Sequence, residues 1–201
     1  VIAHTGFVLG EGSFEEAVKE EGLTVIEKEY RTQPVQHCHI EVPVSYAYME
    51  KGRIVIVTST QIPHIVRRVV SQALGIPIGQ IRVIKPYIGG GFGNKQDVLY
   101  EPLNAFLCTQ AGGRGVRLEL SREETLGCTR VRHAFTWKIK GAVRKDGTLV
   151  ARKYEAYSNQ GAYASHAHAI AANAANIFKQ LYQDEKVLES DSYTVYTNLM
   201  T

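Results

Sequence analysis

Four glycines fall within the five residues Gly89–Gly93, interrupted only by Phe92. No other stretch restricts the fold so tightly, because backbone without Cβ atoms can approach a ligand or another segment that side chains would hold away. The apolar run Ile81-Arg82-Val83-Ile84 before it reads as a strand, and residues 98–110 after it read as a helix. The loop therefore sits at a strand-to-helix junction, a common address for anions and cofactors. Two nucleotide-binding patterns fail here. A phosphate-cradling loop ends in Gly-Lys-Ser/Thr, but Asn94 precedes Lys95 and Gln96 follows it. A dinucleotide fingerprint starting at Gly89 and Gly91 needs a third glycine where Asn94 stands, and only Glu119 lies near the place of the expected ribose-binding acid. A tight turn that serves geometry alone stays open as an alternative.

Patterning around the loop predicts an α+β fold of mixed sheets with packed helices. Ser13 and Glu16 form a capping-box signature for a helix over 14–21, which Gly22 ends. Strands are predicted over 24–30, over 42–49 with Val44, Tyr46 and Tyr48 on one face, and over 54–58, the three lying as antiparallel neighbours. Pro63 opens a helix whose Ile65, Val69 and Ala73 share a face, and Gly75 and Pro77 close it. Leu99, Leu103, Phe106 and Leu107 form an apolar stripe on the next helix, followed by a strand over 116–120 and a second capping box at Ser121 and Glu124. Lys145-Asp146-Gly147 between two alternating runs is a hairpin signal. The alanine-rich run 166–182 reads as helical, 184–191 as an exposed connection and 193–196 as a strand.

With 201 residues and 44% hydrophobic content the chain can bury one substantial core. No apolar run approaches the ~20 residues of a membrane span, and no signal peptide is visible. The formal charge of +3 is spread without a basic block, which argues against nucleic acid as a partner. Cys38, Cys108 and Cys128 lie far apart with no Cys-x-x-Cys pair, so neither a disulfide framework nor an iron–sulfur site is indicated, and reduced thiols in the cytoplasm are the simplest expectation.

Gly-Gly-Gly-Phe-Gly-Asn-Lys resembles the glycine loop of the molybdenum hydroxylases, the family of xanthine dehydrogenase and aldehyde oxidase. Upstream, Ser59-Thr60-Gln61 with Pro63-His64 resembles a second motif of that family at the expected distance. The resemblance extends through Gln36-His37-Cys38-His39-Ile40-Glu41, Ser121-Arg122-Glu123-Glu124, Arg132-His133-Ala134-Phe135, Ser158-Asn159-Gln160-Gly161-Ala162-Tyr163 and Tyr196-Thr197-Asn198, so it spans roughly residues 24–201.

The resemblance implies hydroxylation of an electron-poor sp² carbon, in a purine, a related N-heterocycle or an aldehyde, with water as the oxygen source and a molybdenum–molybdopterin cofactor. Iron–sulfur clusters and FAD are implied on other domains or subunits. Gln61 matches the glutamine beside the metal's oxo group, where an amide N–H can donate; without the resemblance it reads as an ordinary polar residue at a strand end. Gly90, Gly91, Phe92 and Gly93 match cofactor-facing positions. Phe92 reads otherwise as an anchor into the core, and Gly90 and Gly91 as residues at positive φ. Gln96 stands where xanthine-oxidising relatives often carry a substrate-binding glutamate, and an amide brings neither negative charge nor a transferable proton. The family's substrate arginine upstream of Tyr-Thr-Asn has no counterpart in Ile170-Ala171-Ala172-Asn173-Ala174, and its general-base glutamate has none in this chain.

Domain boundaries follow: 1–22 as a connecting segment after an absent N-terminal domain, and 23–201 as part of the molybdopterin-binding domain. A start at Val1 and an end just past Tyr-Thr-Asn predict a fragment, inactive alone, whose partners are the remainder of the molybdenum subunit and the FAD and iron–sulfur subunits. Two rival readings are a zinc protein built on His37-x-His39 and His166-x-His168, each pair sharing one face if its segment is a strand, and an assembly module that docks to partner subunits.

Overall fold

In the computed structural model, which describes residues 1–182 and 184–199, the chain forms two compact units, 1–35 with 132–201 and 36–131. Met200 and Thr201, the last residues of the segment assigned to the cofactor domain, lie outside the described residues. The first strands and helices are β1 (Ala3–Gly10), α1 (Phe14–Ala17) and β2 (Thr24–Arg31). Next come β3 (Val44–Glu50), β4 (Arg53–Thr58), α2 (Pro63–Leu74), β5 (Ile81–Ile84), α3 (Glu101–Gln110), β6 (Val116–Glu119) and α4 (Arg122–Cys128). The chain then continues through β7 (Ala134–Val143), β8 (Leu149–Asn159), α5 (Ala167–Ile177) and β9 (Val187–Val195).

The discontinuous unit is a five-stranded sheet in the order β1-β9-β8-β7-β2, with β8 and β9 parallel and the other pairs antiparallel. Both capping boxes form, and Gly147 takes φ +89° in the β7–β8 hairpin. Three expectations change. Residues 3–10, read as connection, form the edge strand β1. The supposed exposed connection 184–191 becomes most of β9, with Val187, Leu188 and Ser190 buried, because β1 and β8 flank it on either side. And β2 pairs with β7 rather than with β3, because residues 36–131 are inserted between the two halves of this sheet. Arg152, buried in β8, is held by Glu185 through its Nε at 2.6 Å, by Tyr154 Oη and by the Leu181 carbonyl, so the charge has hydrogen-bonding partners on several sides.

The inserted unit is a four-stranded sheet, β5-β4-β3-β6, in which only β4 and β5 run parallel, packed on α2 and α3. Its core joins Ala47, Ile54, Ile56, Val66, Val70, Ile81, Ala105 and Cys108. The periods of the predicted elements are right here, but their phases are not. On β3, Ser45 and Ala47 face inward and Tyr46 outward. On α2 the buried residues are Val66 and Val70 rather than the predicted face. On α3 the stripe of Leu103, Phe106 and Leu107 is exposed, while Glu101, Asn104, Ala105 and Cys108 are buried. The small and polar faces meet: Asn104 Nδ2 donates to Ser45 Oγ at 2.9 Å, and Thr58 Oγ1 donates to Glu101 Oε1 at 3.0 Å. α3 starts at Glu101, three residues later than predicted, because a 3-10 turn at Asn94–Gln96 and an irregular stretch carry the chain away from the glycine loop first. Among the described residues no helix is long and apolar enough to cross a membrane.

Candidate cofactor-binding site

Around Gly89–Gly93 the inserted unit draws together the segment 36–41, the end of β4 with Gln61, and the turn after α4. β4 ends in the buried Thr58-Ser59-Thr60, after which Gln61 N donates to the Lys95 carbonyl at 2.8 Å. Lys95 thus fixes the start of the Gln61 side chain from its own backbone. At the far end of that side chain, Gly93 N donates to Gln61 Oε1 at 3.1 Å. Because the backbone donor takes the oxygen, the amide orientation is settled. The NH₂ group is then a donor with no protein acceptor among the described residues.

Gly91 and Gly90 are glycines for different reasons. A Cβ on Gly91 would lie 2.6 Å from Gln61 Oε1 and 2.8 Å from its Cδ. Gly91 is therefore glycine to admit Gln61, not for positive φ, which it does not have. Gly90 does adopt φ +96°, and a Cβ there would also sit 3.0 Å from His39 Cβ. Phe92 is not a core anchor: it is 72% exposed at φ +51°, a left-handed conformation that is uncommon for a bulky residue and tends to persist at sites where the surroundings enforce it. Gln96 is half-buried, its N–H donates to Gly93 O at 3.3 Å, and its carboxamide has no protein partner among the described residues.

Three residues matter that the sequence reading passes over. Asn94, noted there only for spoiling nucleotide patterns, is buried, and its Nδ2 lies within reach of Gln36 Oε1 (3.0 Å), Thr129 Oγ1 (2.9 Å) and the Arg130 carbonyl (2.8 Å). It staples the loop to the turn after α4. Glu41 and Lys95 form an ion pair of 2.6 Å, and the same Glu41 Oε2 accepts from Gly89 N at 2.9 Å. The Glu41 backbone N–H in turn donates to Gly89 O at 3.2 Å. Lys95 lies just past the glycines, but Glu41 lies 48 residues before Gly89, so the sequence carried a basic residue beside the loop and no signal for its partner.

Burial alone would raise the Glu41 carboxyl, but the hydrogen bonds from Lys95 and Gly89 and the nearby ammonium charge win, and it lies below its ordinary value of 4.5. A lowered folded pKa stabilises fully above the unfolded value and is lost as pH falls through the folded one. Thermal stability of the protein is therefore expected to fall below about pH 4.5 more steeply than that of Glu41→Gln. Parallel melting curves from pH 6 to 3 check this, and coincident slopes would remove the pair from the acid response.

The His-x-His reading loses its premise. His37 and His39 are not on a strand; Cys38 between them takes φ +49°, and His39 Nδ1 donates to the Glu41 carbonyl at 2.6 Å. His166 and His168 lie at the start of α5. Among the described residues no group of three or more His, Cys, Asp or Glu side chains is placed to hold a metal.

What the loop offers a ligand is a directed amide donor, backbone free of Cβ atoms and an exposed aromatic wall. Such a strand–loop–helix arrangement is of the kind that holds a cofactor. Residues 2–201 match the molybdopterin cofactor-binding domain family, and the chain belongs to it. Over 175 residues, 87% of the chain, it is 54% identical to the putative xanthine dehydrogenase molybdenum-binding subunit XdhA of Escherichia coli (strain K12), and spans 23% of that protein. Over the same length it is 34% identical to the nicotinate dehydrogenase large molybdopterin subunit of Eubacterium barkeri, spanning 41% of it. In fold, 98% of the chain superposes on aldehyde oxidoreductase from Desulfovibrio gigas with a TM-score of 0.84 and 24% identity, covering 21% of that chain. It also superposes on reconstituted CO dehydrogenase from Oligotropha carboxidovorans with a TM-score of 0.75 and 25% identity, covering 25% of that chain.

Proposed function

We propose that the chain is part of the molybdenum-binding subunit of a xanthine dehydrogenase-like hydroxylase acting on a purine or related N-heterocycle, with aldehydes as a further substrate class. Its cofactor domain then takes in residues 2–201, with β1 already paired to β9 as an edge strand of the sheet. The observation that carries the reading is the Gln61 amide, its oxygen held by Gly93 N so that its NH₂ group is left as a donor without a protein acceptor among the described residues. When bound, the molybdenum–molybdopterin group supplies an oxygen derived from water and accepts the electrons of the oxidation.

The chain's own residues orient and discriminate. Gln61 Nε2 would hold an oxygen of the group, and the amide cannot flip without breaking the Gly93 bond. Gly90, Gly91 and Gly93 keep the loop backbone thin, and the exposed Phe92 ring would offer an apolar face to the group. Gln96, able to donate and accept but uncharged, meets the edge of a neutral heterocycle. None of these groups can take up a proton at neutral pH, and on this reading the general base is a residue outside this chain. Iron–sulfur clusters and FAD on partner domains or subunits carry the electrons onward. Free thiols at Cys38, Cys108 and Cys128 suit the cytoplasm.

The test is turnover of hypoxanthine, xanthine, nicotinate and benzaldehyde by the intact enzyme in ¹⁸O-water. The expected product gains one heavy oxygen from water. Oxygen drawn from O₂, or no turnover across the panel, would overturn the reading.

A further inference from the structure

We propose that the Glu41–Lys95 ion pair is the positioning pair of this site, setting the place from which Gln61 presents its amide and holding the glycine loop closed around it. The inference rests on the reading of Gln61 as cofactor-facing and adds to it the residues that aim it.

The contacts close a circuit. Glu41 Oε2 holds Gly89 N (2.9 Å) at the loop's start and Lys95 Nζ (2.6 Å) at its end. The Lys95 carbonyl holds Gln61 N (2.8 Å), and Gln61 Oε1 holds Gly93 N (3.1 Å) in the loop's middle. One carboxylate thus ties both ends of the loop, while the backbone of the residue it pairs with holds Gln61, whose side chain ties the centre. Phe92 sits between two glycines that both touch Gln61, so the same circuit keeps its strained φ in place.

An ordinary structural role explains the pair less well. The Lys95 side chain is 2% exposed, and burying an ammonium is costly unless it is paired; such pairs give little net stability but break at a high cost when one partner is lost. The core of this unit is built without either residue. The side chain of Lys95 makes its hydrogen bond to Glu41, and its influence on Gln61 passes through its own backbone.

Lys95→Met and Glu41→Gln in the intact molybdenum enzyme test this by amide hydrogen exchange, with metal content, steady-state kinetics and the electron paramagnetic resonance signal of the reduced metal read in parallel. In Lys95→Met, exchange at Gly89, Gln61 and Gly93 is expected to rise about tenfold, as for a lost charge-assisted hydrogen bond. Exchange in β3 and β4 stays unchanged. kcat falls with KM nearly constant, and the resonance signal shifts. Glu41→Gln, which keeps an acceptor for both donors, gives a smaller change of the same pattern and carries the test if Lys95→Met does not fold. Unchanged exchange at Gln61 and Gly93 in the folded variants overturns the proposal even if activity drops. Wild-type enzyme without molybdenum defeats the cofactor reading instead, and the exchange comparison then still decides the circuit.

Discussion

Gln61→Ala in the intact enzyme is expected to lower kcat by about 10²-fold, the usual loss when one preorganised donor to a charge-bearing oxygen is removed. The orientation of the amide sets the size of this effect. Gly93 N occupies Gln61 Oε1, so alanine removes the NH₂ donor and at the same time leaves the Gly93 N–H without its acceptor. The backbone bond from residue 61 to the Lys95 carbonyl survives, since it involves no side chain. The core of the unit lies elsewhere, so melting temperature and molybdenum content should change little while turnover collapses. Steady-state kinetics with metal occupancy measured on the same sample checks it. Unaltered kcat at full occupancy would remove Gln61 from the site.

Gly91→Ala should cost nearly as much turnover by another route. No positive φ is involved at this position. The added methyl would lie within 2.8 Å of two atoms of the Gln61 amide, closer than non-bonded carbons sit, so that amide must move. Displacing it ends both the Gly93 bond and the fixed placement of the NH₂ donor. Overpacking of this kind costs about 1–3 kcal/mol of stability. The decisive comparison is the double variant: with Gln61 already alanine the methyl has room, so Gly91→Ala should add little further loss. Full additivity of the two single effects would show that the methyl acts on something other than Gln61.

Features that depend on a few neighbouring residues were legible in the sequence. The capping boxes at Ser13 and Ser121, the Gly75 helix stop and the Asp146-Gly147 turn each express a local backbone demand, and each is where the sequence reading put it. What escaped depends on distant partners. β9 mixes Glu189, Ser190, Asp191 and Ser192 into a strand, and only its place between β1 and β8 buries one face of it. The α3 stripe had the right period but faces outward, because Asn104 and Glu101 find polar partners on the sheet and allow a small-residue face to pack closely. Within the site, the motifs placed Gln61 and the glycines in one neighbourhood. The reason Gly91 must lack a Cβ, and the staple made by Asn94, rest on contacts between residues thirty or more apart and needed coordinates.

The claim on which the rest depends is that Gln61 and the Gly89–Gly93 backbone grip a pterin-borne molybdenum. Elemental analysis of the intact subunit after exhaustive dialysis, with pterin extracted from the same sample, tests it most directly. Stoichiometric molybdenum accompanied by pterin, and reduced retention of both in Gly91→Ala, is the result expected here. A molybdenum-free protein that keeps stoichiometric zinc through dialysis would contradict it.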